Sequence, residues 1–298
     1  MKHKTIKVLS LFDGISVAQQ ALKELGYTVE YYASEIDPYA IAVTQKNHPE
    51  TIQLGSVVGL EHWGKNDTQL NNIDLLIGGS PCQDLSIAKG NREGLAGKRS
   101  GLFYEYLRIL KEVKPRYYVL ENVASMSDEA RDEISKELGG VEPITIDAAL
   151  VSAQNRKRYF WTNIPGIKQP EDRGINILNI IEPQAERKYI DIKNPIKTRN
   201  GIRWDTSGKG YYSQQDRAYS ENGKHPTVPT ARTITKVKVL FNDGRVGVLT
   251  WKEIERLQSL PDNYTDLAEG NRIEKRGAVI GNAYNKEVIK HILSYIKP

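Results

Sequence analysis

The stretch "IKVLSLFDGISVAQQALKELG", residues 6–26, sets the architecture of the first half of the chain. "IKVLSLF" is a short apolar strand that ends at Asp13-Gly14, and "VAQQALKEL" follows it as a helix. Gly26 closes that helix in the position after the C-cap, where a left-handed residue is favoured. The alternation then repeats. "VEYYASEI" predicts a second strand and "PYAIAVTQKNH" a second helix, with Pro38 in its first turn. "IDLLIGG", "YYVLENV" and "ITIDAALV" predict further strands. "LFYEYLRILKEV" predicts a helix ended by Pro115, and "SDEARDEISKEL" one capped by Ser127 and followed by Gly139. Strands alternating with helices predict an α/β fold, a parallel sheet with helices on both faces.

The pattern changes near residue 166. Residues 166–248 are rich in Gly, Pro, Asn, Lys and Tyr, with strand candidates such as "TARTITKVKVLF" and a turn at Asn242-Asp243-Gly244. A smaller unit of strands and loops is expected over 167–248. "LTWKEIERLQSLP" then restores a helix, with Thr250 and Glu253 as a capping box and Leu249 and Ile254 as a hydrophobic staple. "NKEVIKHILSYI" predicts a last helix. The expected division is a domain over 1–166, completed by 249–298, with 167–248 inserted.

Composition narrows the class. With 39% hydrophobic and 27% charged residues, the chain reads as soluble. No apolar run approaches the ~20 residues of a membrane span, and the N-terminus reads as a strand without a cleavage site. A single cysteine excludes an internal disulfide framework and a Cys-rich zinc site, so no metal is expected. A reducing cytoplasm suits it. The whole excess charge of +5 falls in residues 196–236, where eight Lys/Arg face three acids among Trp204, Tyr211, Tyr212 and Tyr219. Basic residues interleaved with aromatics suit a nucleic-acid surface.

Open parallel sheets bind ligands at the carboxyl ends of their strands. The first such end is "FDGIS", which is not GxGxxG, and the second is Glu35, an acid placed to accept from ribose hydroxyls. An adenosyl ligand without a pyrophosphate fits this pair, and S-adenosyl-L-methionine is such a ligand. The next end is "GGSPCQDLS", residues 78–86, with Cys82. A lone cysteine is usually a small buried hydrophobe. Here a glycine-rich, basic stretch, 83–101, follows it and suits a lid over an anionic substrate. "VLENV" brings Glu121 to the following strand end, and "QNRKR" brings Arg156 and Arg158, on one face if that stretch is extended.

"FDGIS", "SPCQDLS", "ENV", "QNRKRYFW" and "GNAYN" stand in the order seen in the cytosine carbon-5 DNA methyltransferases, which the chain resembles over almost its whole length apart from roughly 170–230. Compact bacterial and phage members are close comparisons. "WKEIERLQSLPDNYTD" also looks like the vertebrate de novo members. The resemblance implies a Rossmann-like sheet that uses S-adenosyl-L-methionine, with a small target-recognition region at 167–248. It implies Cys82 as the nucleophile toward cytosine carbon 6, with Glu121 at ring nitrogen 3. Arg156 and Arg158 would stabilise the site. It maps cofactor contacts onto Phe12, Asp13, Gly14, Ile15, Ser16, Glu35, Ile36, Pro81, Leu102, Asn282 and Ala283. The family has Gly-Asp where this chain has Gly55-Ser56, so Ser56 would meet the adenine amino group without a charge.

Double-stranded DNA is the implied partner, with the target base flipped out. Gln83 and Ser86 are candidates for filling the gap left by the flipped base, and Arg99 of the same basic stretch is a DNA-binding candidate. Arg199, Arg203, Lys209, Gln214, Arg217, Lys224 and Arg232 are candidates for the DNA surface, with "RTIT", 232–235, as a hinge strand. A monomeric, cytoplasmic enzyme of bacterial or phage origin, with or without a separate restriction nuclease, completes the expectation. Competing readings are an RNA cytosine methyltransferase, a DNA-binding homologue with weakened catalysis, and a nicotinamide-dependent dehydrogenase. The transfer-RNA-modifying branch typically carries a later Cys-Phe-Thr element, and there is no second cysteine here. The dehydrogenase reading lacks its glycine pattern.

Overall fold

A computed structural model describes residues 4–58, 70–80, 101–204, 216–230, 237–267 and 273–297. The chain divides into two compact units. Unit 1 holds 1–147, 157–169 and 288–298, and unit 2 holds 148–156 and 170–287.

Unit 1 is built on a seven-stranded sheet. Its strands are β1 (Lys4–Leu11), β2 (Tyr27–Ser34), β3 (Ile52–Gln53), β4 (Leu75–Gly78), β5 (Tyr117–Val123), β6 (Ile144–Asp147) and β8 (Lys157–Thr162). Their spatial order is β3-β2-β1-β4-β5-β8-β6. β1 pairs in parallel with β2 and β4, and β4 with β5, as the repeated strand–helix alternation predicts. β8 departs from that expectation, because it runs antiparallel to both β5 and β6. The reason is chain length. β6 and β8 are neighbours joined by residues 148–156 alone. A crossover to a parallel neighbour needs a dozen or more residues.

The helices are α1 (Val17–Glu24), α2 (Pro38–Asn47), α3 (Leu102–Val113) and α4 (Asp128–Glu137). Alternation sends neighbouring side chains of β1 to opposite faces. Leu9 and Leu11 join Leu76, Leu120 and Trp161 in one core cluster with Phe103 and Tyr106 of α3 and Ile134 of α4. α1 buries Val17, Ala18, Ala21 and Leu22. The expected Ser127 cap is present, and the structure adds an Asp37 cap on α2. Ser127 accepts from Ala130 N–H, and Asp37 accepts from Tyr39 N–H ahead of Pro38. Gly78 lets the sheet and α3 approach closely: a Cβ there would lie 3.0 Å from the Leu11 carbonyl and 3.1 Å from the Tyr106 ring.

Unit 2 carries β7 (Gln154–Asn155), β9 (Tyr189–Ile190), β10 (Ile196–Thr198), β11 (Gly201–Arg203), β12 (Arg217–Ser220), β13 (His225–Pro226), β14 (Lys238–Leu240) and β15 (Val246–Val248). Six of these form a sheet in the order β10-β11-β12-β14-β15-β9. The Asn242-Asp243-Gly244 turn joins β14 to β15, with Gly244 at φ 83°. α5 (Trp251–Leu257) begins with the expected capping box of Thr250 and Glu253, and Leu249 and Ile254 are buried in one cluster.

α5 and α6 (Ile273–Asn282) fall in unit 2, whereas the expected return to the first domain began at 249. Packing explains the difference. Ile254, Leu257 and Ile280 share a core with Val237 and Val239. Glu253, fully buried, takes both terminal nitrogens of Arg187 at 2.9 and 2.7 Å. The chain re-enters unit 1 at Val288, inside α7 (Lys286–Leu293).

A buried amide relay ties unit 2 together. Gln154 accepts from Val228 N–H at 2.9 Å and donates to the Leu257 carbonyl at 3.0 Å and to Gln258 Oε1 at 3.1 Å. Gln258 donates in turn to the Ile280 carbonyl at 2.9 Å.

Two substitutions test this packing. Gly78→Ala is expected to lower unfolding stability by about 1–3 kcal/mol, because backbone faces the added methyl. Gln258→Leu keeps volume but strands buried polar groups, at roughly 2–3 kcal/mol. Urea unfolding midpoints check both, and an unchanged midpoint contradicts the packing described.

Candidate active site

The carboxyl ends of β1 and β2 hold a strained loop in place. Phe12, Gly14 and Ser16 take left-handed φ values of 54°, 64° and 54°. Such conformations cost non-glycine residues of order 1–3 kcal/mol each, so the surroundings must impose them. Asp13 supplies much of that constraint. Its N–H donates to the Ser34 carbonyl at 3.1 Å, and its buried carboxylate accepts from Tyr31 Oη at 2.7 Å and from the Ser16 hydroxyl. Burial pushes the Asp13 carboxyl above the usual carboxylate range, against the opposing pull of these hydroxyls. Gly14 N–H donates to Glu35 Oε2 at 2.8 Å.

Side chains expected to touch a cofactor therefore divide into two sets. Asp13, Ile15 and Ser16 are buried and shape the loop, while Phe12 and Gly14 keep surface. Glu35 is anchored: Oε1 accepts from Ile36 and Asp37 N–H at 2.7 and 2.8 Å. A carboxylate has about four acceptor positions, so three backbone donors leave one for a ribose hydroxyl. Ile36 and Val58 are 71% and 60% exposed, the two most exposed large apolar side chains among the described residues. They stand beside Glu35 and Ser56 in sequence, and apolar surface next to a ribose acceptor fits an adenosyl group. Ser56 is exposed and its hydroxyl accepts from Val58 N–H at 3.1 Å. Leu102 opens α3 and packs on the core cluster.

β4 and β5 deliver the next groups. Beyond β4, Ser80 is buried and accepts from Asn122 Nδ2 at 3.2 Å. Glu121, the residue before Asn122, is the one partly exposed position of β5. It pairs with Arg158 of β8, with Nε to Oε1 at 2.9 Å and both side chains about one-seventh exposed (15% and 14%). The register explains the contact. Glu121 faces Phe160 and Val123 faces Arg158, so acid and base are diagonal neighbours on one face of an antiparallel pair. Arg158 Nη1 also donates to the Lys157 carbonyl at 2.8 Å. Pro81, Cys82, Gln83, Ser86 and Arg99 lie outside the described residues.

Arg156 corrects an expectation. A continuous strand would place it on the same face as Arg158, but β7 ends at Asn155 and β8 starts at Lys157. Arg156 is buried in unit 2, donating to the carbonyls of Gly281 at 3.2 Å and Ala283 at 2.9 Å. It braces the segment that presents Asn282, which is exposed, beside Ala283, which is buried. Gly281 sits against Pro229 and Thr230 so closely that a Cβ would lie 2.8 Å from the Pro229 carbonyl.

Of the basic candidates, Arg199, Arg203 and Arg217 line one concavity of about 210 Å³. Lys224 turns inward: its ammonium donates to the carbonyls of Ala149, Ile175 and Ser152 and braces the unit. Lys209, Gln214 and Arg232, with the "RTIT" segment, lie outside the described residues. Gln258 and Val58 are the residues that sequence reasoning missed. Gln258 continues the apolar spacing Ile254–Leu257, and a polar side chain on such a stripe is the signal that marks it.

The chain is similar in sequence and in fold to known methyltransferases. The family model for the C-5 cytosine-specific DNA methylases matches residues 6–198. The chain is 40% identical to the orphan methyltransferase M.Rho11sI of Bacillus phage rho11s, covering 91% of this chain and 69% of that protein. It is 27% identical to the type II methyltransferase M.FnuDI of Fusobacterium nucleatum, covering 94% and 92%. In fold it is similar to the Entamoeba histolytica methyltransferase EhMeth, with a TM-score of 0.70 at 15% identity over 98% of both chains. The DNMT2 of Spodoptera frugiperda gives a TM-score of 0.65 at 18% identity, over 97% of this chain and 99% of that one. This chain belongs to the C-5 cytosine-specific DNA methylase family.

Proposed function

We propose that this family member transfers a methyl group to carbon 5 of a flipped-out cytosine in duplex DNA through a covalent adduct on Cys82. The observation that carries the reading is the Glu121–Arg158 pair at 2.9 Å on adjacent strands, beside the contact of Asn122 with Ser80, which precedes Cys82 by two residues in sequence. S-adenosyl-L-methionine, when bound, supplies an electrophilic methyl on a sulfonium. The anchored Glu35, the exposed Ile36 and Val58, and the Phe12–Ser16 loop are the unit 1 groups that would hold it. Asn282 and Ala283 are the unit 2 groups assigned to it by family resemblance.

The chemistry follows from what cytosine lacks. Its carbon 5 is a weak nucleophile, so electron density must be pushed onto it. The Cys82 thiolate adds to carbon 6, forming a C–S bond and moving the π electrons to carbon 5. Glu121 hydrogen-bonds or protonates ring nitrogen 3, which prevents anionic charge from building on the ring. Arg158 fixes the Glu121 carboxyl for that task. Carbon 5 then takes the methyl as the sulfonium C–S bond breaks. Loss of the carbon 5 proton to a base, for which water suffices, lets the Cys82 sulfur leave and restores the ring.

DNA as the substrate rests on the family, and the fold likeness alone does not choose between nucleic acids. Pairing with a restriction nuclease, a monomeric state and a cytoplasmic location stay with the family expectation. Among the described residues no helix is long and apolar enough to cross a membrane.

Labelled methyl transfer from S-adenosyl-L-methionine tests the reading. Wild-type protein is expected to label duplex DNA, and Cys82→Ser to lose at least a thousandfold. Preferential labelling of RNA overturns the substrate assignment. Ser56→Asp is expected to tighten cofactor binding by about fivefold to tenfold in calorimetry, because a charged acceptor then meets the adenine amino group. Unchanged or weaker binding contradicts that placement of Ser56.

A further inference from the structure

We propose that Arg108 is a positioning residue for the cofactor's adenine: it holds the Val57 carbonyl and so sets where Ser56 and Val58 meet the base. The proposal deepens the cofactor reading given above and rests on it. It lies wholly within unit 1.

The segment after β3 has an inner and an outer side. Val57 is buried in the core cluster that holds Leu9, Leu76 and Phe103, while its neighbours Ser56 and Val58 are exposed. β2 fixes the start of the segment. Leu54 N–H donates to the Ala33 carbonyl at 2.8 Å, and the Ser34 hydroxyl donates to the carbonyl of Gly55, which takes a left-handed φ of 78°, at 2.6 Å. The outer pair holds itself only by a local turn, in which Val58 N–H donates to the Ser56 hydroxyl at 3.1 Å. Serine turns of this kind are weak. Support from elsewhere comes from α3. Arg108 Nη2 donates to the Val57 carbonyl at 3.3 Å, across 51 residues of sequence.

The other donors of Arg108 fix its aim. Nε and Nη2 donate to Glu105 Oε2 at 3.0 and 2.8 Å, and Nη1 donates to both Glu112 oxygens at 3.1 Å. Glu105 stands three residues before Arg108 and Glu112 four after it, so both lie on its face of the helix. Partly exposed pairs of this kind add little to stability. Their effect here is to hold the guanidinium plane from two sides, with one edge turned to Val57. A planar fork serves three partners at once, whereas a lysine ammonium is a single point and cannot stand at the Nη1 and Nη2 positions together. Neutral hydrogen bonds weaken steeply with distance and angle. The uncharged Ser56 hydroxyl therefore depends on its placement, and any shift of Val57 carries Ser56 and Val58 with it.

Calorimetry of S-adenosyl-L-methionine binding to the full chain, without DNA, tests the proposal as a double-mutant cycle. Arg108→Met removes every donor and keeps an unbranched stem. It is expected to weaken binding about threefold to tenfold, the worth of one neutral hydrogen bond. The gain of about fivefold to tenfold expected for Ser56→Asp should shrink below about twofold in the Arg108→Met background, because the new carboxylate is no longer held at the amino group. Arg108→Lys keeps a cation between Glu105 and Glu112. It therefore rescues a role confined to α3 and preserves any direct attraction to the new carboxylate, but it does not restore the fork. The proposal predicts that Arg108→Lys also loses most of the Ser56→Asp gain, and this variant decides the matter if Arg108→Met does not fold. An undiminished gain in the Arg108→Lys background overturns the proposal, and so does wild-type affinity in Arg108→Met. Two further outcomes overturn it by removing its basis. If the wild type binds the cofactor but Ser56→Asp brings no gain, the adenine placement of Ser56 has failed. If the wild type does not bind S-adenosyl-L-methionine, the cofactor reading itself has failed.

Discussion

The ion pair between Glu121 and Arg158 depends on strand direction. Were β8 parallel to β5, the stretch after "QN" would enter from the opposite end of the sheet and Arg158 would lie far from the carboxyl end of β5. Residues 148–156 are too few for a crossover, so β8 must turn back antiparallel to β6. The same turn slots it beside β5 with Val123 opposite Arg158. A short connection thus brings a guanidinium to an acid. In water such a pair is worth little, but at about one-seventh exposure the guanidinium has few other partners and fixes the carboxyl in one orientation. A carboxyl that serves a ring nitrogen needs that fixed orientation more than it needs extra stability.

The loop after β1 shows a comparable use of constraint. Three left-handed residues in five are held by Asp13, whose carboxylate is turned into the unit and consumed by Tyr31 and Ser16. Glu35 completes the frame by tying Gly14 to the start of α2. A ligand arriving at these strand ends meets acceptors and backbone that are already ordered, and the ordering entropy has been lost during folding. In unit 2, the relay from Gln154 through Gln258 and the Arg156 contacts to Gly281 and Ala283 fix the "GNAYN" segment in the same manner.

Much of this was legible in the sequence because local rules decide it. The strand–helix alternation, the caps at Ser127 and Thr250, and the Gly26 stop all follow from nearest neighbours. What the sequence did not show was non-local. The reversal of β8 needs knowledge of which strands are adjacent. Arg156 and Arg158 look equivalent by alternation, and only a break at one residue separates their partners. Lys224 read as a surface cation, yet three carbonyls from distant segments collect around it. The domain boundary at 249 looked natural because a strong helix begins there, but helices are assigned to units by what their apolar faces bury.

The central claim is that Cys82 attacks the ring while Glu121, held by Arg158, supports it at nitrogen 3. The most direct measurement is mass spectrometry of the protein after reaction with duplex DNA containing 5-fluorocytosine and S-adenosyl-L-methionine. Fluorine stands where the carbon 5 proton would be and cannot leave as a cation, so the account predicts a stable adduct of methylated base on the Cys82 peptide, strongly reduced in Glu121→Gln. An adduct on another residue, or methylation of ordinary cytosine with no adduct on the fluorinated base, would contradict it.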